Sequence, residues 1–202
     1  MPASWQDPPT VTERPTRSDA RRNYDRLVAA ANLVFAEHGT DASLDEIAKR
    51  AGVGSGTLYR HFPTKDRLMT AVFWERVRAL CERGNELAGT MSPLEALVTW
   101  LRLLIDLTMR RGLATALMTQ GSDRTSELFH ACHEALNATA GPLLANAQQD
   151  GAIRPDLRLA DLIQLCHAIA SAVERSPTAK ADADRMLDLL IGGLRAHAGT
   201  VS

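Results

Sequence analysis

The chain has 202 residues, 45% of them hydrophobic and 23% charged, with a formal net charge of −1 at pH 7. That composition suits a folded chain with a sizeable core and excludes a disordered or fibrous one. It gives no global pull toward nucleic acid, so a polyanion would have to be met by local charge. Residues 17–67 hold nine Lys and Arg against seven acids, whereas residues 68–202 hold 13 against 15.

Residues 1–16 carry four of the nine prolines and little apolar periodicity, which predicts a mobile, disordered arm. No run approaches the roughly 18 apolar residues of a membrane span, and the N-terminus lacks a basic-then-apolar leader pattern. A cytoplasmic protein with no membrane partner is expected. Cys81, Cys132 and Cys166 are odd in number and lie in helical apolar patterns, as reduced thiols do.

Beyond the arm almost every segment repeats at helical spacing and none alternates as a half-buried strand does, so the fold class is all-α with about nine helices. The first helix is expected from about Arg17 to His38, with Leu27, Ala31, Val34 and Phe35 on one face and Gly39 closing it. Arg21 and Arg22 lie in its charged N-terminal turn. Ser43-Leu-Asp-Glu46 is a capping-box pattern that opens a second helix, with Leu44, Ile47, Ala48 and Ala51 inward and Gly52 at its end. Val53 plugs the turn into the core.

A short third helix, about Ser55 to Phe62, faces Leu58 and Phe62 inward, and Pro63 stops it. Residues 43–62 thus read as a helix-turn-helix, a unit whose second helix enters the DNA major groove. Thr64 is a credible cap for a long fourth helix to about Leu87, linking head to body. A second capping box, Ser92-Pro-Leu-Glu95, opens a fifth helix that is apolar on most sides and therefore central.

A short helix near Leu113–Met118 follows, then a long one from about Asp123 to Gln149, ended by Gly151. The last two helices, about Leu159–Arg175 and Asp182–His197, carry Leu162, Leu165, Ile169, Val173 and Met186, Leu189, Leu190, Leu194. Gly192 and Gly193 each cost a helix about 1 kcal/mol relative to Ala, which points to close helix approach and to a homodimer interface on these two helices.

With Leu58 and Phe62 inward, Gly56 and Arg60 face outward, flanked by Thr57, Tyr59 and His61. Gly54, Ser55, Gly56 and Thr57 are small, so the helix tip can approach groove floor and phosphates closely. Arg60 alone on that face can bridge guanine O6 and N7; its other role is a phosphate clamp, and the sequence leaves both open. Tyr59, His61 and Lys65 are assigned to phosphates.

Thr57-Leu-Tyr-Arg-His-Phe62 with Lys65, following Ala51-Gly-Val-Gly54 and a long first helix, resembles the DNA-binding head of the TetR family of transcriptional regulators. The resemblance covers roughly Arg21 to Phe73. It implies base-facing Ser55, Gly56, Thr57 and Arg60 and phosphate-facing Ser43, Tyr59, His61 and Lys65, with Arg22, Val53 and Gly54 completing the DNA-facing set. The stretch Gly151-Ala-Ile-Arg-Pro-Asp156, with Asp161-Leu162, resembles the loop before the penultimate helix of many members. The resemblance further implies a dimeric repressor on a palindromic double-stranded operator, released by a small-molecule effector. Its domains would be a DNA-binding head, 17–80, and a ligand-binding and dimerisation body, 81–202.

In the body, Trp100, Leu104, Met109, Met118, Phe129, His133 and His167 are candidate linings of an apolar effector pocket, with ordinary core packing as the competing role. His130, Cys132, His133 and Glu134, with Cys166 and His167, allow a metal- or thiol-responsive alternative, but no second paired-ligand motif accompanies them. No cofactor is expected. An enzyme is disfavoured: Gly52-Val-Gly-Ser-Gly56 superficially suggests a phosphate loop but follows a helix rather than a strand, and no nucleophile elbow or paired catalytic carboxylates occur.

Overall fold

The computed structural model describes residues 15–109, 112–119 and 123–195; most of the expected arm and the end of the last helix near His197 lie outside the described residues. In chain order come α1 (Ser18–His38), a single 3-10 turn (Gly39–Asp41), α2 (Leu44–Ala51), α3 (Ser55–His61), α4 (Lys65–Thr90), α5 (Pro93–Met109), α6 (Gly112–Thr119), α7 (Asp123–Gln149), α8 (Leu159–Val173) and α9 (Ala179–Leu194). Among the described residues the fold is all-α, with one isolated antiparallel bridge between Ile153 and Arg195. No helix among them is long and apolar enough to cross a membrane.

Two compact units divide the chain: unit 1 is residues 1–77 and 110–134, unit 2 residues 78–109 and 135–202. The boundary differs from the one expected near residue 80, because α6 and the first part of α7 group with the head. There the rings of Phe73 and Phe129 meet edge to face at 5.4 Å.

The core of unit 1 follows the helical stripes: Leu27, Ala31, Val34 and Phe35 of α1, Ile47, Ala48 and Ala51 of α2, Leu58 and Phe62, and Leu68 and Val72 of α4 are all buried. Gly39 and Gly52 close α1 and α2 at φ 62° and 64°, a left-handed region that favours glycine. The capping box at Ser43 is only half made. The Ser43 hydroxyl accepts from the Asp45 amide at 3.2 Å, while the Glu46 carboxylate lies 3.4 Å from His38 Nε2 instead of turning back to the cap.

Unit 2 is built around α5, whose Trp100, Leu97, Leu101 and Leu104 are buried against Leu143, Leu144 and Ala147 of α7, Leu162, Cys166 and Ile169 of α8, and Leu187 and Ile191 of α9. The Trp100 indole N–H donates to the Leu80 carbonyl at 3.1 Å, so the buried ring leaves no orphan donor. Gly84 of α4 is buried under that ring, and a Cβ there would come within 2.8 Å of the indole and closer still to Thr139. Here Glu95 does accept from both the amide and the hydroxyl of Ser92, at 3.3 and 2.6 Å.

Gly192 and Gly193 lie in the last turn of α9. Both are exposed, and a Cβ at either would meet nothing within 4 Å, so no close approach within the chain requires them. Leu165 and Leu189, two of the apolar residues that mark these helices, are 40% and 70% exposed, because Leu162, Cys166, Ile169 and Leu187, Ile191 take the inward positions of their helices.

Candidate nucleic-acid interface

The turn between α2 and α3 is closed by the chain's own backbone. The Gly52 amide donates to the carbonyls of Ala48 and Lys49, and the Val53 amide reaches back to Ala48 at 3.0 Å, a Schellman-type ending. Gly54 then caps α3, its carbonyl accepting from Thr57 and Leu58 at 2.9 and 3.2 Å. Leu58 and Phe62, 0% and 3% exposed, fix the helix by its inner face.

Gly54, Ser55, Gly56, Tyr59 and Arg60 are consequently exposed, and Val53, Thr57, His61 and Lys65 half-buried. Tyr59 keeps 48% of its surface in solvent. Arg60 and Lys65 have no hydrogen-bond or ion-pair partner among the described residues. Ser43 and Arg22 are exposed as well. Thr64 caps α4 through its Oγ1, 3.3 Å from the Arg67 amide, and Lys65 is the first residue of that helix.

His61 is less free than its neighbours. Its ring stands edge-on to Tyr24 with centroids 6.3 Å apart and lies beside Phe62, and burial, aided by the charge of Arg60, holds its pKa below the usual 6.5. It is therefore a neutral N–H donor near pH 7 rather than a standing cation.

Two side-chain clamps escaped the sequence reading. Arg50 of α2 grips Glu37 of α1 through two hydrogen bonds of 2.5 and 2.7 Å, and Arg26 of α1 donates from Nη2 to the Gly52 carbonyl at 3.2 Å. Arg26 follows Arg22 by one helical turn, the one signal that it shares a stripe with a residue already singled out.

Comparison with known proteins decides what this head belongs to. A family model described as "Bacterial regulatory proteins, tetR family" matches residues 27–72, and one described as "Transcriptional regulator SbtR-like, C-terminal domain" matches residues 92–196. The chain belongs to the TetR family of transcriptional regulators. The crystal structure of the TetR regulator SCO0520 from Streptomyces coelicolor is 38% identical, with a TM-score of 0.75 over 87% of this chain and 99% of that one. A TetR regulatory protein from Mycobacterium vanbaalenii is 36% identical, with a TM-score of 0.68 over 90% and 99%. The HTH-type transcriptional regulator UidR of Escherichia coli (strain K12) is 26% identical over 193 residues, 88% of this chain and 95% of UidR.

Like other TetR regulators, the chain carries a DNA-binding helix-turn-helix and a helical C-terminal domain. The seven residues expected to line an effector pocket do not form one lining within either unit. Met118, Phe129 and His133 belong to unit 1, and Trp100, Leu104, Met109 and His167 to unit 2. Trp100 and Leu104 are closed into packed core, Met118 is 60% exposed, and His133 and His167 are exposed. Leu128, Cys132 and Ala135 occupy the inward face of α7, and Cys166, Ile169 and Ala170 that of α8, which turns both histidines outward. Unit 2 instead carries an open groove of about 540 Å³ between the start of α5 and the end of α9, with apolar Met91, Leu94, Val98 and Ile191 and polar Arg102, Asp188 and Arg195.

The metal- or thiol-responsive alternative gains nothing from the geometry. His130 stands 75% exposed and faces Glu134 at 3.6 Å, while Cys132 is buried. Among the described residues no three His, Cys, Asp or Glu side chains gather into a metal-binding group. Burial pushes the Cys166 thiol up to about 12 and raises Cys81 too, so neither is a reactive thiolate near neutrality.

Proposed function

We propose that this TetR regulator is a cytoplasmic, dimeric repressor that lays α3 in the major groove at each half of a palindromic operator and leaves it when a small-molecule effector binds the C-terminal helices. The observation that carries the reading is the outer face of α3. A Cβ at Gly54 or Gly56 would meet nothing within 4 Å, so the fold itself does not demand small residues there. Their smallness serves what approaches from outside.

Around that tip, Arg60 is an unpaired candidate base reader, and Arg22, Ser43, Val53, Ser55, Thr57, Tyr59, His61 and Lys65 complete the contact set. Lys65 opens α4, where the helix dipole disfavours a cation; a phosphate seated there gains from both the ammonium and the helix end. Dimerisation through α8 and α9 is supported by exposed Leu165 and Leu189 and by the open surface at Gly192 and Gly193. Because α4 runs through residues of both units, an effector that prefers one position of α4 lowers DNA affinity by shifting populations.

Footprinting on the DNA upstream of its own gene tests the reading. Protection of two half-sites with centres roughly 34–36 Å apart, weakening steeply with salt, is expected. Absence of any protected palindrome overturns it. The effector is sought by thermal-shift screening followed by operator release; a screen in which binders leave operator affinity unchanged removes that part alone.

A further inference from the structure

The carbonyl of Gly52 lies in the turn between α2 and α3. It lies one peptide before Val53 and two residues before Gly54, from whose carbonyl the first bonds of α3 hang. The Gly52 amide is already spent on Ala48 and Lys49, so the turn's own backbone holds only one side of this residue. The other side is held from α1: Arg26 Nη2 donates to the carbonyl at 3.2 Å across 26 residues of sequence. The guanidinium also covers the face where a side chain would stand, since a Cβ at Gly52 would lie 2.5 Å from Nη2.

The other polar clamps in this unit act elsewhere. Glu37–Arg50 ties α2 to α1, and Arg76 ties α4 to α1 through Asn32 at 2.6 Å. Among these clamps Arg26 reaches the turn itself. A short helix of seven residues gains little rigidity of its own, so the direction in which its tip points is set by what holds the turn.

We propose that Arg26 is a positioning residue for DNA recognition, one that acts through the Gly52 carbonyl to present the N-terminus of α3 in a single orientation. Without it the turn samples several geometries, and the apparent affinity falls by the fraction that is competent. The loss applies to every sequence alike. This rests on α3 being the recognition helix, and binding by the wild-type chain is the control that separates the two claims.

The test uses the full chain and duplex DNA that it selects from a random pool. If the wild type selects no DNA, the recognition-helix reading fails and this inference with it. If the wild type binds, Arg26→Ala is expected to weaken binding about three- to tenfold at each salt concentration, leaving the salt slope unchanged. Arg26→Met keeps the aliphatic stem, and so the packing, and is expected to lose as much while melting within a few degrees of wild type.

Gly52→Ala supplies the second readout. In the wild-type background it suffers both the left-handed strain and the collision with Arg26, and in the Arg26→Ala background only the strain. The double variant is therefore expected to bind more tightly than the product of the two single losses predicts. Unchanged affinity in Arg26→Met, a salt slope lower by about 1 as a direct phosphate contact gives, or strictly multiplicative losses each overturn the proposal.

Discussion

In unit 1 the helices are tied by charged side chains that cross between them, Arg50 to Glu37 and Arg26 to the Gly52 carbonyl, over a core shared by helices of eight and seven residues. Unit 2 has charged crossings too, Arg102 to Asp188 and Lys180 to Asp106 between α5 and α9, but its centre, where α4, α5 and α7 cross, is filled by the indole of Trp100 packed over Gly84 and Thr139. Hydrogen bonds are directional and apolar packing is not, so the first arrangement suits a surface that must present atoms at fixed angles. The second suits a body whose first requirement is volume filled without voids.

The sharpest way to break that contrast is to empty the body's crossing point. Trp100→Ala removes a fully buried ring and the side-chain donor to the Leu80 carbonyl, with an expected loss of about 3–5 kcal/mol in denaturant unfolding. A loss below about 1 kcal/mol would mean that the ring is dispensable to unit 2. Gly84→Ala asks the same question from the other side. Alanine favours a helix by about 1 kcal/mol over glycine, yet overpacking against Trp100 and Thr139 costs about 1–3, so net destabilisation is expected. A stabilised variant would show that the crossing is looser than its geometry.

The head is broken by function rather than by melting. Lys65→Ala is expected to weaken binding to all sequences alike and to lower the salt slope by about 1, with little change in stability. Arg60→Ala, if Arg60 bridges a guanine, relaxes preference at one operator position by about 1–3 kcal/mol. Equal losses across sequences in both variants would make Arg60 a phosphate clamp.

The outer face of α3 was legible because one short motif fixes its register: once Leu58 and Phe62 are inward, helical geometry alone sends Arg60 outward. The α1 stripe and the glycine-closed turn were legible for the same local reason. Arg26 and Glu37–Arg50 were not, since nothing in a sequence states that residues 26 or 13 positions apart will meet. The outward turn of His133 and His167 was not legible for a related cause. Leu128 and Cys132, or Ile169 and Cys166, compete with neighbouring histidines for one inward face, and the wider apolar stripe takes it. Glu46 shows the limit even of a local pattern: a capping box was readable, but the carboxylate lies beside His38 instead of at the cap.

His61 offers the smallest and most specific test, because the fold lowers its pKa and a phosphate contact would raise it. Burial and Arg60 lower its pKa in the folded chain, so between that value and the usual 6.5 the unfolded chain binds more protons. Its effect on stability is therefore most favourable above pH 6.5, and stability falls as pH drops through that window. A bound phosphate beside the ring favours the imidazolium, so operator affinity is expected to rise over the same interval. Glu37 acts in a separate window: Arg50 holds its carboxyl below the usual 4.5, and that stabilisation is lost only at lower pH. Comparing wild type with His61→Asn from about pH 7.5 to 5.5 isolates the histidine. The variant should lose less stability on acidification and gain less affinity. If stability responds as expected but affinity does not, His61 packs against Tyr24 and Phe62 without touching a phosphate.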